Sequence, residues 1–193
     1  KYLGACHGAT GILYVLLQCP EFLQNETYIQ HAKGVIDYIG KMVAQYKGNF
    51  PSREDGSLKL CQWCHGPPGA VLLFIKAYEL FNEEKYITWA EQGAQWIWER
   101  GYLVKGPGLC HGIAGSGYVF LKLYKATSNH KFLYHAISFA TAFINQKFDH
   151  HLGTPDRPFS LYGGIGGMVC LVADILEDTT TRWPGFDFKK ATE

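Results

Sequence analysis

The sequence predicts an all-α fold, an α/α toroid (barrel) of helical hairpins, here about four of them. Three observations predict it. First, a short Gly-rich turn recurs four times: G-A-C-H-G at 4–8, W-C-H-G-P-P-G at 63–69, G-P-G-L-C-H-G-I-A-G at 106–115 and S-L-Y-G-G-I-G-G at 160–167. Second, each turn leads into a helix-length run that is apolar almost all round, which suits a buried helix. Third, the first three of these runs are followed by segments whose apolar residues recur every three to four positions, as in an amphipathic helix. His7, His65, His111 and Gly163 stand in equivalent places, spaced by 58, 46 and 52 residues. A period of roughly 50 residues with two helices per unit indicates hairpins packed side by side. The apolar helices belong inside and the amphipathic ones outside, so the four turns gather on one face, at the N-terminal ends of the inner helices.

In chain order, residues 9–18 form the first apolar helix, stopped at Cys19-Pro20 because proline disfavours helix in the residue before it. From Asn25 the positions Tyr28, Ala32, Val35, Ile36, Ile39 and Val43 trace an amphipathic helix. Gly48 to Ser52 breaks it, and a loop runs to about Gln62. The second turn opens an apolar helix ending in E-L-F. Asn82 is the expected N-terminal cap of the next helix, with Glu83 and Glu84 favoured by its dipole. That helix runs from about Glu84 to Arg100 and Gly101 ends it. The third turn opens a helix from about Ile113 to Lys125, and Asn129 caps another over about 130–147. A loop at 149–159 carries G-T-P-D-R-P. The fourth turn opens a last apolar helix, Ile165 to Leu176, followed by a polar and then aromatic tail around Trp183, Phe186 and Phe188.

The totals narrow the function. With 193 residues the chain builds one domain with a substantial core. Lys plus Arg number 18 against 17 for Asp plus Glu, with no run of like charge, so a nucleic-acid partner is not indicated. No stretch of about 18 apolar residues predicts a transmembrane span. No secretory leader is recognisable. The chain lacks an initiator Met and opens on residues that read as protein interior, so further repeats are expected before Lys1. Six cysteines, three of them inside the repeated turns, fit a reducing, cytoplasmic setting with thiols kept for metal or packing.

The chemistry concentrates in the turns. Cys64, Cys110 and His111 converge if the turns share a face. Two thiolates and an imidazole are a common zinc set, and three protein ligands leave a fourth position open for water or an outside thiol. Cys61, in C-Q-W-C, is the complication: as a fourth ligand it would close the site and make it structural. His65 is a neighbour with a supporting role. His7 faces the same pocket, as a general acid–base or as a structural histidine. Lys105 either neutralises an anionic substrate or is a solvated loop lysine. Asp156 and Arg157 read as turn residues.

These motifs, with T-P-D-R-P-F-S-L-Y-G-G-I-G-G, resemble the eukaryotic lanthionine synthetase C-like (LanC-like) proteins, whose bacterial members are lanthipeptide cyclases. The resemblance covers essentially the whole chain and corresponds to the C-terminal four of the family's seven hairpins. It implies an α/α toroid with one zinc ion on Cys64, Cys110 and His111. It places the family's active-site histidine on His7 and its glutathione-contacting lysine on Lys105. The family's glutathione-contacting loop falls on Gly153, Thr154, Pro155 and Asp156. There the chain departs: animal relatives tend to have Arg where Gly153 stands, and Arg157 is the candidate substitute. The bacterial cyclases also carry an Arg four places before the first zinc cysteine, where this chain has Leu60.

The expected function is zinc-dependent addition of a thiol, glutathione, to dehydroamino acids in peptides or proteins. His7 would donate a proton and Lys105 steady the anion. The alternative is a non-catalytic glutathione- or peptide-binding scaffold with structural zinc. A glycan-processing toroid is disfavoured, since the repeated turns carry no paired carboxylates. Cytoplasmic localisation is expected, with peripheral association at the plasma membrane left open.

Overall fold

The computed structural model describes residues 1–56, 58–145, 152–155, 157–177 and 181–188. Among the described residues eight helices follow one another: α1 (Ala9–Leu16), α2 (Pro20–Leu23), α3 (Glu26–Gln45), α4 (Pro67–Phe81), α5 (Glu84–Arg100), α6 (Ile113–Thr127), α7 (His130–Ile144) and α8 (Ile165–Glu177). The only β feature among the described residues is an isolated antiparallel bridge between Tyr2 and Arg53. No helix among them is long and apolar enough to cross a membrane.

The repeat governs the architecture. Helices α1, α4, α6 and α8 each begin two residues after an equivalent turn position, and they pack in that order, α1 on α4, α4 on α6, α6 on α8. In α4 every residue from Pro67 to Ile75 is buried, and in α6 every residue from Ile113 to Leu123. The amphipathic α5 and α7 lie outside against α4 and α6, and α3 packs on α5. The chain is therefore all-α, built as the inner and outer layers of an α/α toroid. Burial of side chains such as Leu72, Leu73, Phe74, Val119 and Phe120 stabilises the inner layer by about 1.5–3 kcal/mol each.

Local chemistry sets the boundaries. The Asn25 side chain accepts from the Tyr28 N–H at 3.2 Å and Asn129 from the Lys131 N–H at 3.0 Å, satisfying donors that a helix start leaves unpaired. Pro20 occupies the first turn of the short α2, where its missing N–H costs nothing. Asn82 does not cap the start of α5. It closes α4 in the left-handed conformation, φ 50°, donating its N–H to the Tyr78 carbonyl at 2.9 Å. Asparagine tolerates that conformation better than most residues, which is why a helix end won over a helix start.

After α8, residues 181–188 fold back among the inner helices. Trp183 is fully buried and stacks on Trp63, ring centroids 5.5 Å apart, while Phe186 lies parallel to Tyr14 at 4.6 Å. Asp187 accepts from Lys122 of α6 at 2.6 Å and from the Trp183 N–H at 2.7 Å, and also from the Tyr14 hydroxyl.

Candidate metal centre and its surroundings

The four turns are joined by backbone hydrogen bonds at equivalent residues. Cys6 N–H donates to the Cys64 carbonyl at 3.3 Å, Cys64 N–H to Cys110 at 3.2 Å, and Cys110 N–H to Tyr162 at 2.9 Å. This ladder fixes how far apart the turns lie, so side chains 46 residues apart in sequence become neighbours. Close approach within each turn requires glycine at one repeated place. A Cβ on Gly11, Gly69, Gly115 or Gly167 would lie 1.8, 2.5, 2.1 or 2.8 Å from the carbonyl oxygen of Ala5, Trp63, Leu109 or Leu161.

On this frame the donor atoms of Cys64, Cys110 and His111 all lie within 4.8 Å of one another. A tetrahedral zinc with two thiolates and an imidazole holds its ligand atoms about 3.5–4 Å apart, so a small inward adjustment of side chains suits the group to that ion. Cys64 is buried, and Cys110 and His111 are half-buried. The neighbouring Cys64 and then the His111 and His7 rings outweigh burial at Cys110 and lower its pKa, while the same proximity and burial push the Cys64 thiol up; that thiol donates to the Gln62 Oε1 at 3.5 Å. The lowered pKa of Cys110 favours the thiolate, the form that binds metal. The positive ends of four inner helices lie on this face and favour that charge.

Cys61 is buried and does not belong to the cluster; burial alone pushes its pKa up to about 12. Cys6 is exposed, and its thiol is near enough to feel the charge of Cys110. All six cysteines are free thiols.

His7 is exposed beside the cluster, with its ring 5.5 Å from that of His65 and 5.6 Å from that of Tyr2. Burial first, then the charges of His7 and Arg53, push the His65 pKa down, and its Nδ1 is buried without a partner. Lys105 is exposed in the turn before α6, next to Gly106, whose carbonyl accepts from the Ile113 N–H at 2.9 Å. The segment with Gly153, Thr154 and Pro155 packs on that turn: Gly153 N–H donates to the Val104 carbonyl at 2.5 Å. Lys105 and this loop therefore stand side by side. Arg157 is exposed and starts the turn to Ser160 that precedes α8. Asp156 lies outside the described residues. Leu60 is partly exposed.

Tyr2 and Arg53 belong to these surroundings although no sequence motif marks them. The Leu3 N–H donates to Ser52 at 3.0 Å and Glu54 N–H to Lys1 at 3.3 Å, so the first residues pair with the loop after α3. That pairing lays the Arg53 guanidinium 4.4 Å over the Tyr2 ring. No local pattern reveals a contact between residues so distant in sequence.

Comparison with known proteins agrees with this arrangement. The sequence model of the lanthionine synthetase C-like proteins matches residues 1–188. The chain is 37% identical over 187 residues to the glutathione S-transferase LANCL1 of Danio rerio, an alignment covering 97% of this chain and 46% of that protein. The chain thus spans about half the length of that curated relative. A family match over nearly all of a chain whose repeated turns bring two cysteines and a histidine together makes it a member of the lanthionine synthetase C-like family.

Proposed function

We propose that the chain takes part in glutathione chemistry as a zinc-dependent enzyme that adds the glutathione thiol to dehydroalanine or dehydrobutyrine residues of peptides or proteins. The observation that carries this reading is the convergence of Cys64, Cys110 and His111 within 4.8 Å, with no fourth protein donor among the described residues and His7 exposed beside them. The similarity to the Danio rerio glutathione S-transferase supports glutathione as the thiol.

Cys64, Cys110 and His111 would hold the metal. A zinc ion there supplies Lewis acidity that keeps a bound thiol deprotonated at neutral pH. The remaining work falls to the chain. The sulfur forms a bond to the β-carbon, the carbon–carbon double bond opens, and the α-carbon takes up a proton. In this reading His7 gives that proton and recovers one from the next thiol, so the balance closes without another reactant. Lys105, exposed beside the Gly153–Pro155 segment, pairs with an anionic group of glutathione or with the developing enolate. Thr154, Asp156 and Arg157 complete the proposed substrate-binding loop. The free thiols fit a cytoplasmic location, with the plasma-membrane surface as a place of peripheral attachment.

The test is mass spectrometry of a dehydroalanine peptide incubated with glutathione and the zinc-loaded chain. The peptide gains one glutathione, and His7→Ala slows the gain by about 100-fold or more, the usual worth of a positioned acid–base group. Addition at the same rate by metal-stripped protein sinks the proposal. A chain that holds zinc and glutathione yet leaves the peptide unmodified is instead a binding scaffold.

A further inference from the structure

We infer that Arg53 is a specificity residue of the same site, binding a carboxylate of the thiol substrate through its guanidinium. The inference deepens the function proposed above and rests on it.

Arg53 is exposed, yet it is held in one place. Its backbone is fixed by the bridge to Tyr2 and by the flanking bonds from Leu3 and Glu54. Its guanidinium lies 4.4 Å over the Tyr2 ring and donates to the Tyr2 hydroxyl at 2.5 Å. A cation on an aromatic face with one donor engaged keeps its remaining donors free for a planar acceptor, the geometry in which arginine grips carboxylates. No carboxylate lies within ion-pair distance of Arg53 among the described residues, and its neighbour Glu54 turns to Lys1. The group is thus an oriented cation without an anionic partner among the described residues.

Its position indicates which anion is missing. The Tyr2 ring lies 5.6 Å from His7 and 5.8 Å from His65, and His7 is close enough to the cluster to act electrostatically on Cys110. Arg53 is therefore linked to the sulfur-binding end of the site through Tyr2 and His7. Glutathione carries its thiol at the centre and a carboxylate towards each end. With the sulfur at the Cys64–Cys110–His111 cluster, Arg53 takes a carboxylate on the Tyr2 side of the site, away from any anionic group that Lys105 takes. A thiol without carboxylates would gain nothing from this group.

Selectivity between thiols is the measurement that isolates Arg53. Zinc-loaded wild type, Arg53→Ala and Arg53→Lys are assayed for addition of glutathione and of 2-mercaptoethanol to one dehydroalanine peptide. Zinc content and thermal midpoint are recorded for each protein. The expected result is a fall of about tenfold in the ratio of kcat/KM for glutathione to that for 2-mercaptoethanol in Arg53→Ala, carried by KM. Arg53→Lys falls less, because it keeps the charge and loses the planar fork. An unchanged ratio in Arg53→Ala overturns the assignment, and so does a rise confined to the KM of the peptide. A wild-type chain that holds zinc but transfers neither thiol overturns the preceding proposal, an outcome visible before any variant is compared.

Discussion

At Cys110 opposing effects meet on one sulfur. The neighbouring Cys64 and the rings of His111 and His7 favour the thiolate, burial favours the thiol, and the balance lies below the ordinary thiol range. Cys61, three residues before Cys64, meets burial alone and goes to about 12. Proximity in sequence is therefore a poor guide to which thiols join the candidate metal cluster, and the two residues separate the readings of the site. If the proposed zinc site holds, Cys61→Ala should keep one zinc per chain, whereas Cys110→Ala should weaken zinc binding by more than about 100-fold, since even support of a ligand is worth 10–100-fold. Elemental analysis after dialysis against a graded chelator reads both. Loss of zinc from Cys61→Ala would place that thiol among the ligands.

At the scale of elements, the helices owe their spacing to places where a side chain has no room. Gly115, one turn into α6, would set a Cβ 2.1 Å from the Leu109 carbonyl. Backbone must shift to admit it, and the shift falls on the turn that carries Cys110 and His111. Gly115→Ala should cost about 1–3 kcal/mol or more and weaken zinc binding with it. Gly34, in the middle of α3, has nothing within 4 Å of the same atom. Gly34→Ala should stabilise by about 0.5–1 kcal/mol, because only helix propensity changes. Urea denaturation of the two variants gives opposite signs, and equal signs would refute the packing account.

For the whole molecule, segment 181–188 ties the last stretch of chain to the first helix and to α6. Burial of Asp187 works against its charge, but the Lys122 ammonium and hydrogen bonds from Lys122, Tyr14 and the Trp183 N–H outweigh it and hold the carboxyl below its ordinary range. Both side chains of the ion pair are under 10% exposed, 9% for Lys122 and 7% for Asp187. Removing one partner leaves the other charge buried, so Asp187→Asn should cost about 3–5 kcal/mol at neutral pH. The sign with pH follows from the depressed folded-state pKa. The stabilisation is complete above the unfolded value of about 3.9 and is lost as pH falls through the folded one. The difference between wild type and Asp187→Asn should therefore be constant from pH 7 to about 5 and shrink below about 4. A gap that persists at pH 3 would show that packing, not charge, is what Asp187 contributes.

The sequence by itself determined the repeat, the helix types and the turns that carry the candidate ligands. These follow from local properties: glycine where backbones touch, apolar periodicity, and cysteine beside histidine at equivalent places. His7 and Lys105 are singled out by the resemblance of these motifs to the family, since their positions alone fit a structural histidine and a solvated lysine as well. Tertiary structure decided what depends on contacts between distant segments. It set Cys61 apart from the cluster and brought Gly153 against Val104. It also paired Tyr2 with Arg53 and folded Trp183 and Asp187 into the inner layer. Asn82 is the boundary case, since one residue type serves both ends of a helix and only the backbone angle distinguishes them. Periodicity records which face of an element is buried, but which partner buries it is fixed by the ladder from Cys6 to Cys64 to Cys110 to Tyr162, whose backbone bonds carry no side-chain signature.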